Sequence, residues 1–205
     1  MKAFLIFIFI IFLYACSDNS DQKVNGNIKE PSTESDERKD EPEIAKGLIT
    51  FNSVDKAFVG MDIKDLLETY KNYQLLDTPA YYFEIDSEER ELVIAKDNKP
   101  LMFVWSKDDE VVELCAISPS LRTKSNLRPG MTIKEIKEIY SDIKMSQDIV
   151  TGNTESIYIP QEKVALCFFT EQKTIGIYKD SDETGPMTSE FKSDTFRVNY
   201  IQTRK

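Results

Sequence analysis

One eleven-residue string occurs twice in this chain, 70 residues apart. Gly60-Met61-Asp62-Ile63-Lys64-Asp65-Leu66-Leu67-Glu68-Thr69-Tyr70 aligns with Gly130-Met131-Thr132-Ile133-Lys134-Glu135-Ile136-Lys137-Glu138-Ile139-Tyr140, with six of the eleven positions identical. The shared residues are those that start a helix. Asp62 and Thr132 are N-cap types, whose side-chain oxygens accept the free amide hydrogens of a first turn. Asp65 and Glu135 stand three residues on, as in a capping box. Met61 and Met131 precede the cap and Leu66 and Ile136 follow it at the spacing of a hydrophobic staple. Ile63, Leu66, Leu67 and Tyr70 then keep the helical period, as do Ile133, Ile136 and Tyr140. Helices this short need another surface to cover their apolar face.

Strand signals follow each helix. The first set is read at Tyr81–Ile85, Glu91–Ala95, Leu101–Trp105 and Val111–Ile117, with polar breaks at 86–90, 97–100 and 106–110. The second is read at Ser156–Ile159, Val164–Phe169, Thr174–Tyr178 and Phe196–Ile201, with a polar insertion over 179–194 before the last strand. Leu48–Phe51 adds a strand at the front. Short turns between consecutive strands imply antiparallel meanders. The expected fold is α+β: two tandem modules, 48–126 and 127–205, each a short helix on a small antiparallel sheet of about four strands.

The N-terminus reads as a processing signal. Lys2 supplies a positive charge, and Ala3–Leu13 is an apolar run too short to span a bilayer about 30 Å thick. Leu13-Tyr14-Ala15-Cys16 resembles the bacterial lipobox, with Tyr14 a departure from the small residues usual there. That resemblance implies a signal peptide over 1–15 and lipidation of Cys16. Ser17 stands after it where an aspartate would mark inner-membrane retention, so anchoring in the bacterial outer membrane is expected, facing the periplasm or the cell surface. Residues 17–47 hold nine acidic and five basic side chains and only four aliphatic ones, so the stretch is expected to be a disordered tether.

Composition removes several chemistries. There is no histidine among the 205 residues, which excludes imidazole bases and histidine-dependent zinc sites. A net charge of −10 argues against a nucleic-acid partner. Cys115 and Cys167 fall in strands of different modules. They are either a disulfide stapling the modules or two buried thiols. Asp180–Gly185 looks like the first half of a calcium loop, but its twelfth position is Phe191 where a bidentate glutamate is needed, so a solvated turn is expected. The carboxylates Glu84, Asp86, Glu88 and Glu89 read as a polar turn. No metal and no cofactor is expected.

Aromatic residues are the remaining candidates. Tyr81, Tyr82, Trp105, Tyr158 and Phe169 lie on strands, where neighbours point to opposite faces. A helix on one sheet face leaves the other face as a candidate interaction surface.

The string GMTIKEIKEIY, followed by strands, resembles the helix-start module of small bacterial envelope proteins. These include the SmpA/OmlA (BamE) outer-membrane lipoproteins and the tandem-repeat β-lactamase inhibitor protein. Gly130–Tyr140 carries the match; Gly60–Tyr70 departs from it at Asp62. The resemblance implies a helix-plus-sheet fold and carries over no functional residue. The expectation is a non-enzymatic, membrane-anchored lipoprotein that binds a protein partner. The alternative is a small-ligand binding or sensing lipoprotein with a pocket between the modules.

Overall fold

The capped helices form where the repeated string places them. In the computed structural model, α1 spans Ile63–Thr69 and α2 spans Ile133–Ile139. The structure describes residues 47–79, 90–148, 153–170, 173–178 and 186–204. The expected signal segment, Cys16, the expected tether up to residue 46, the strand expected at Tyr81–Ile85, the carboxylates at 84–89 and the calcium-like turn at 180–185 lie outside the described residues.

The two helix starts are built alike. Thr132 and Glu135 form a full capping box, Thr132 Oγ1 accepting from Glu135 N–H at 3.2 Å while Glu135 Oε2 accepts from Thr132 N–H at 2.7 Å. The shorter Asp65 does not complete a box; Asp62 Oδ1 accepts from Lys64 N–H at 2.7 Å instead. Gly60 and Gly130 have φ of +93° and +87°, a conformation glycine takes without steric cost. Each start is also clamped to a later segment. Gly60 N–H donates to Val111 O at 2.7 Å, Val111 N–H returns a bond to Met61 O at 2.9 Å, and Ile63 N–H donates to Asp109 O at 2.9 Å. At α2 the same three bonds run from Gly130 N–H to Val198 O at 2.8 Å, from Val198 N–H to Met131 O at 2.9 Å, and from Ile133 N–H to Phe196 O at 3.0 Å.

The strands assemble differently from two separate sheets. In chain order they are β1 (Leu48–Ile49), β2 (Ser53–Val54), β3 (Ala57–Phe58), β4 (Gln74–Pro79), β5 (Arg90–Lys96), β6 (Lys99–Lys107), β7 (Glu110–Ala116), β8 (Arg122–Thr123), β9 (Met145–Gln147), β10 (Thr154–Ile159), β11 (Val164–Phe169), β12 (Met187–Thr188) and β13 (Tyr200–Arg204). Nine of them make one sheet in the order β12-β9-β10-β11-β13-β7-β6-β5-β4, and four make a small sheet, β3-β2-β1-β8. The join is β13 against β7, antiparallel, with Ile201 opposite Ala116, Gln202 opposite Cys115 and Thr203 opposite Leu114. Joining these strands removes two free edges that separate sheets would have to protect. Among the described residues the fold is therefore mixed, with two helices and mostly strand, rather than two small closed sheets.

Local turn chemistry accounts for the β5-β6-β7 meander. Asp97 and Asn98, then Asp108 and Asp109, all have positive φ, between 52° and 63°, as a two-residue hairpin turn of type I′ requires. Two expected strands are corrected. Thr174–Tyr178 is not a strand but an irregular segment with one bridge, Gly176 to Phe191. The last strand begins at Tyr200 rather than Phe196, because Phe196 and Val198 are taken up by the α2 start.

Both helices and the small sheet cover one face of the large sheet. Leu66, Tyr70, Ile133 and Ile136 from the helices and Ile49 and Val54 from the small sheet join Ile94, Met102, Leu114, Ile157, Leu166, Phe168 and Ile201 in one core. A second, smaller cluster, Val93, Phe103 and Cys115 with Trp105, Ile117 and Tyr200 against it, contains no helical residue.

Candidate functional site

The face that carries no helix among the described residues, here the helix-free face, can be read from strand register, because residues directly opposite one another share a face. One row crosses seven strands: Leu76, Val93, Phe103, Cys115, Gln202, Ala165 and Tyr158. Its middle is buried, with Val93, Phe103 and Cys115 exposed by 4% or less. Its ends are open, Leu76 at 46% and Tyr158 at 56%. A neighbouring row runs Tyr200, Cys167, Ser156, Ser146 and Met187.

The structure places three of the five expected aromatics. Tyr158 is exposed on β10, Trp105 is half-buried on β6, and Phe169 is half-buried on β11 with its ring 5.6 Å from that of Tyr200. Tyr81 and Tyr82 lie outside the described residues. The three share a face but not a patch. Trp105 and Tyr158 stand four strand spacings apart, roughly 19 Å at the usual inter-strand distance. Phe169 is four residues along β11 from the partner of Tyr158, about 13 Å.

The two strand cysteines also point to this face, with no disulfide between them. Both Cys115 and Cys167 are buried thiols. The disulfide reading fails on topology: β13 lies between β7 and β11. Two strand spacings, roughly 9.6 Å, exceed the Cα separation a disulfide spans.

A polar cluster that sequence reasoning missed surrounds them. Gln202 Nε2 donates to Glu113 Oε1 at 2.7 Å, and the Cys115 thiol donates to the same oxygen at 3.5 Å. Burial, and then the Glu113 carboxylate, push the Cys115 thiol well above its usual range. Burial likewise pushes up the Tyr200 phenol, with Cys167 adding to it. A thiol held neutral in this way is a poor nucleophile. The cluster depends on strand pairings 89 residues apart, so no local signal announced it.

Three further carboxylates, Asp55, Glu162 and Glu155, act structurally. Tyr70 donates its hydroxyl to Asp55 Oδ2 at 3.0 Å, and Tyr140 donates to Glu162 Oε1 at 3.2 Å. Glu155 is fully buried on β10, where Oε2 accepts from the N–H groups of Ile175 at 2.8 Å and Gly176 at 3.0 Å. It pins the segment after β11 over the sheet. Burial raises the pKa of the nearby Tyr178 phenol, and the Glu155 charge raises it further. The recurrence of tyrosine at the end of both repeated strings was the only sequence signal for any of these.

No family model matches the chain, and no curated protein matches it. Among solved structures, the crystal structure of the uncharacterized protein yfeY from Escherichia coli is similar in fold. It has a TM-score of 0.50 and 9% identity, and the match covers 77% of this chain and 99% of that one. At that identity the likeness is one of backbone architecture, and it is with that architecture that the chain is aligned.

Proposed function

We propose that the chain is a non-enzymatic, membrane-anchored bacterial lipoprotein. Its folded part binds a protein partner through the helix-free face of the large sheet. The observation that carries this reading is the exposure of Tyr158, 56%, on a face whose apolar cluster receives no helix. Large amphipathic aromatics are the residues that anchor protein interfaces. The lipid anchor rests on the lipobox-like Leu13–Cys16 alone, and the outer-membrane assignment rests on Ser17 after it.

The folded part is proposed to be a duplicated helix-plus-four-strand unit, in keeping with the resemblance to BamE-like and inhibitor-like modules. Three matched hydrogen bonds at each helix start support this. So does strand order, since β4-β5-β6-β7 and β9-β10-β11-β13 each run from an outer position to the central join. The alternative of a ligand pocket between the units receives no such support. Ile49, Leu121 and Leu127, in and beside the small sheet, are exposed by 2% or less and fill core volume there.

A photo-crosslinking residue placed at Tyr158 in the full chain, in living cells, tests the binding reading. A discrete crosslinked protein, lost when the probe is moved to the Asp97–Asn98 turn, is the expected result. A probe at Tyr158 that captures nothing, with the same outcome at Trp105 and Phe169, overturns it.

A further inference from the structure

The small sheet carries a charge pattern unlike that of the chain as a whole. The net charge is −10, yet Lys56, Arg122, Lys124 and Lys163 gather around this sheet, all exposed. Arg122 and Lys124 flank Thr123, which is 2% exposed, so both turn away from the core. Glu162 Oε1 accepts from Thr123 Oγ1 at 3.2 Å and from Ser125 N–H at 3.1 Å, which sets Lys163 beside Lys124. Lys163 Nζ lies 5.5 Å from the ring centroid of Phe51, and Phe51 is 50% exposed. Lys56 stands in the β2–β3 turn.

None of the four cations is in an ion pair among the described residues. Asp55 and Glu162, the carboxylates next to Lys56 and Lys163 in the chain, turn inward to the hydroxyls of Tyr70 and Tyr140. The N-terminal part of the chain also joins the fold here. Gly47 N–H donates to Asp55 Oδ1 at 2.8 Å, and Gly47 O accepts from Arg122 N–H at 3.1 Å. Residues 1–46 are therefore attached beside Lys56 and Arg122.

We propose that this side of the domain docks on the membrane. Lys56, Arg122, Lys124 and Lys163 meet the phosphates of anionic lipid headgroups, and Phe51 enters the interface among them. Basic clusters beside a membrane attachment are drawn to anionic lipid in this way, and one lipid signal is strengthened by a second. The docking rests on the lipid-anchor reading. Under that reading a coil over residues 17–46 reaches on the order of 30 Å, so the point of attachment is the part of the domain held nearest the bilayer. That confinement lets a patch of four charges act on a chain whose average charge is negative. The small sheet covers the helix-bearing face of the large sheet, so docking through it leaves the helix-free face turned away from the lipid.

The test uses the full chain reconstituted in vesicles that carry a headgroup-nitroxide quencher. The chain has a single tryptophan, Trp105, on the helix-free face, and Phe51→Trp adds a second at the patch. In vesicles of equimolar phosphatidylcholine and phosphatidylglycerol, Phe51→Trp is expected to lose the emission of residue 51, while the wild-type chain keeps that of Trp105. The loss is expected to disappear in phosphatidylcholine vesicles, in high salt, and when Lys124→Glu and Lys163→Glu are added with an unchanged circular dichroism spectrum. Flotation of the chain with the vesicles reports the anchor separately. A chain that floats with anionic vesicles but keeps full emission at residue 51 overturns the docking alone, whether an acidic peptide or nothing occupies the patch. So does a loss of emission that is equal in both kinds of vesicle and survives the two glutamate substitutions. A chain that floats with neither kind overturns the anchor and the docking together.

Discussion

The hydroxyl of Tyr70, the last residue of the first repeated string, donates to Asp55 Oδ2 at 3.0 Å and accepts from Lys56 N–H at 3.1 Å. Asp55 is itself buried, and its other oxygen accepts from Gly47 N–H at 2.8 Å. One phenol therefore ties the end of α1 to the β2–β3 turn. Tyr70→Phe strands a carboxylate oxygen and an amide in the interior, an expected cost of about 1 to 3 kcal/mol. Tyr140→Phe should cost less, because its partners Ser125 and Glu162 are only partly buried. Urea denaturation of the two variants side by side checks the order.

The capping box makes α2 sensitive to acid. Glu135 has its pKa lowered by accepting from the Thr132 backbone and then from its hydroxyl. A carboxyl group whose folded pKa is depressed contributes stability above its unfolded value, near 4.5, and loses it as pH falls through the folded value. Glu135→Ala should therefore lower the melting temperature at pH 7 and make little difference at pH 2.5. Equal losses at both values would point to packing instead.

Gly176 is where the irregular segment crosses Thr188 and the ring of Tyr178. A Cβ there would lie 2.6 Å from Thr188 Cγ2 and 2.7 Å from Tyr178 Cζ. Gly176→Ala forces these groups apart, at an expected cost of about 1 to 3 kcal/mol. Hydrogen exchange should show the Ile175 and Gly176 amides, held by Glu155, losing protection first.

Cys115 and Cys167 should resist alkylation at pH 8 in the folded protein and react fully in denaturant. Peptide mapping after oxidative purification should find both as free thiols. A Cys115–Cys167 peptide would contradict the placement of β13 between them.

Legibility followed sequence distance. The α1 and α2 starts were readable because a cap, its box and its staple all lie within six residues. The hairpins were readable for the same reason, through the polar breaks at 97–100 and 106–110. The β7–β13 join was not, because register between strands nearly 90 residues apart leaves no local trace. Thr174–Tyr178 looked like a strand by its β-branched and aromatic content, but Glu155 takes two of its amide hydrogens and Gly176 bends it. Trp105, Tyr158 and Phe169 share one face of the large sheet, yet spacing across strands, invisible in the sequence, separates Trp105 from Tyr158.

β13 is the last strand in chain order and sits in the middle of the nine. A chain delivered from its N-terminus can form the β5-β6-β7 meander early, since its turns are local and hairpins close quickly. Until Tyr200–Arg204 arrives, β7 keeps a bare edge and β11 lacks its second neighbour. The halves meet only through a late, long-range pairing, the slow kind of contact in folding. A chain made from its N-terminus has its keystone delivered last, which leaves the central seam of the sheet open until then.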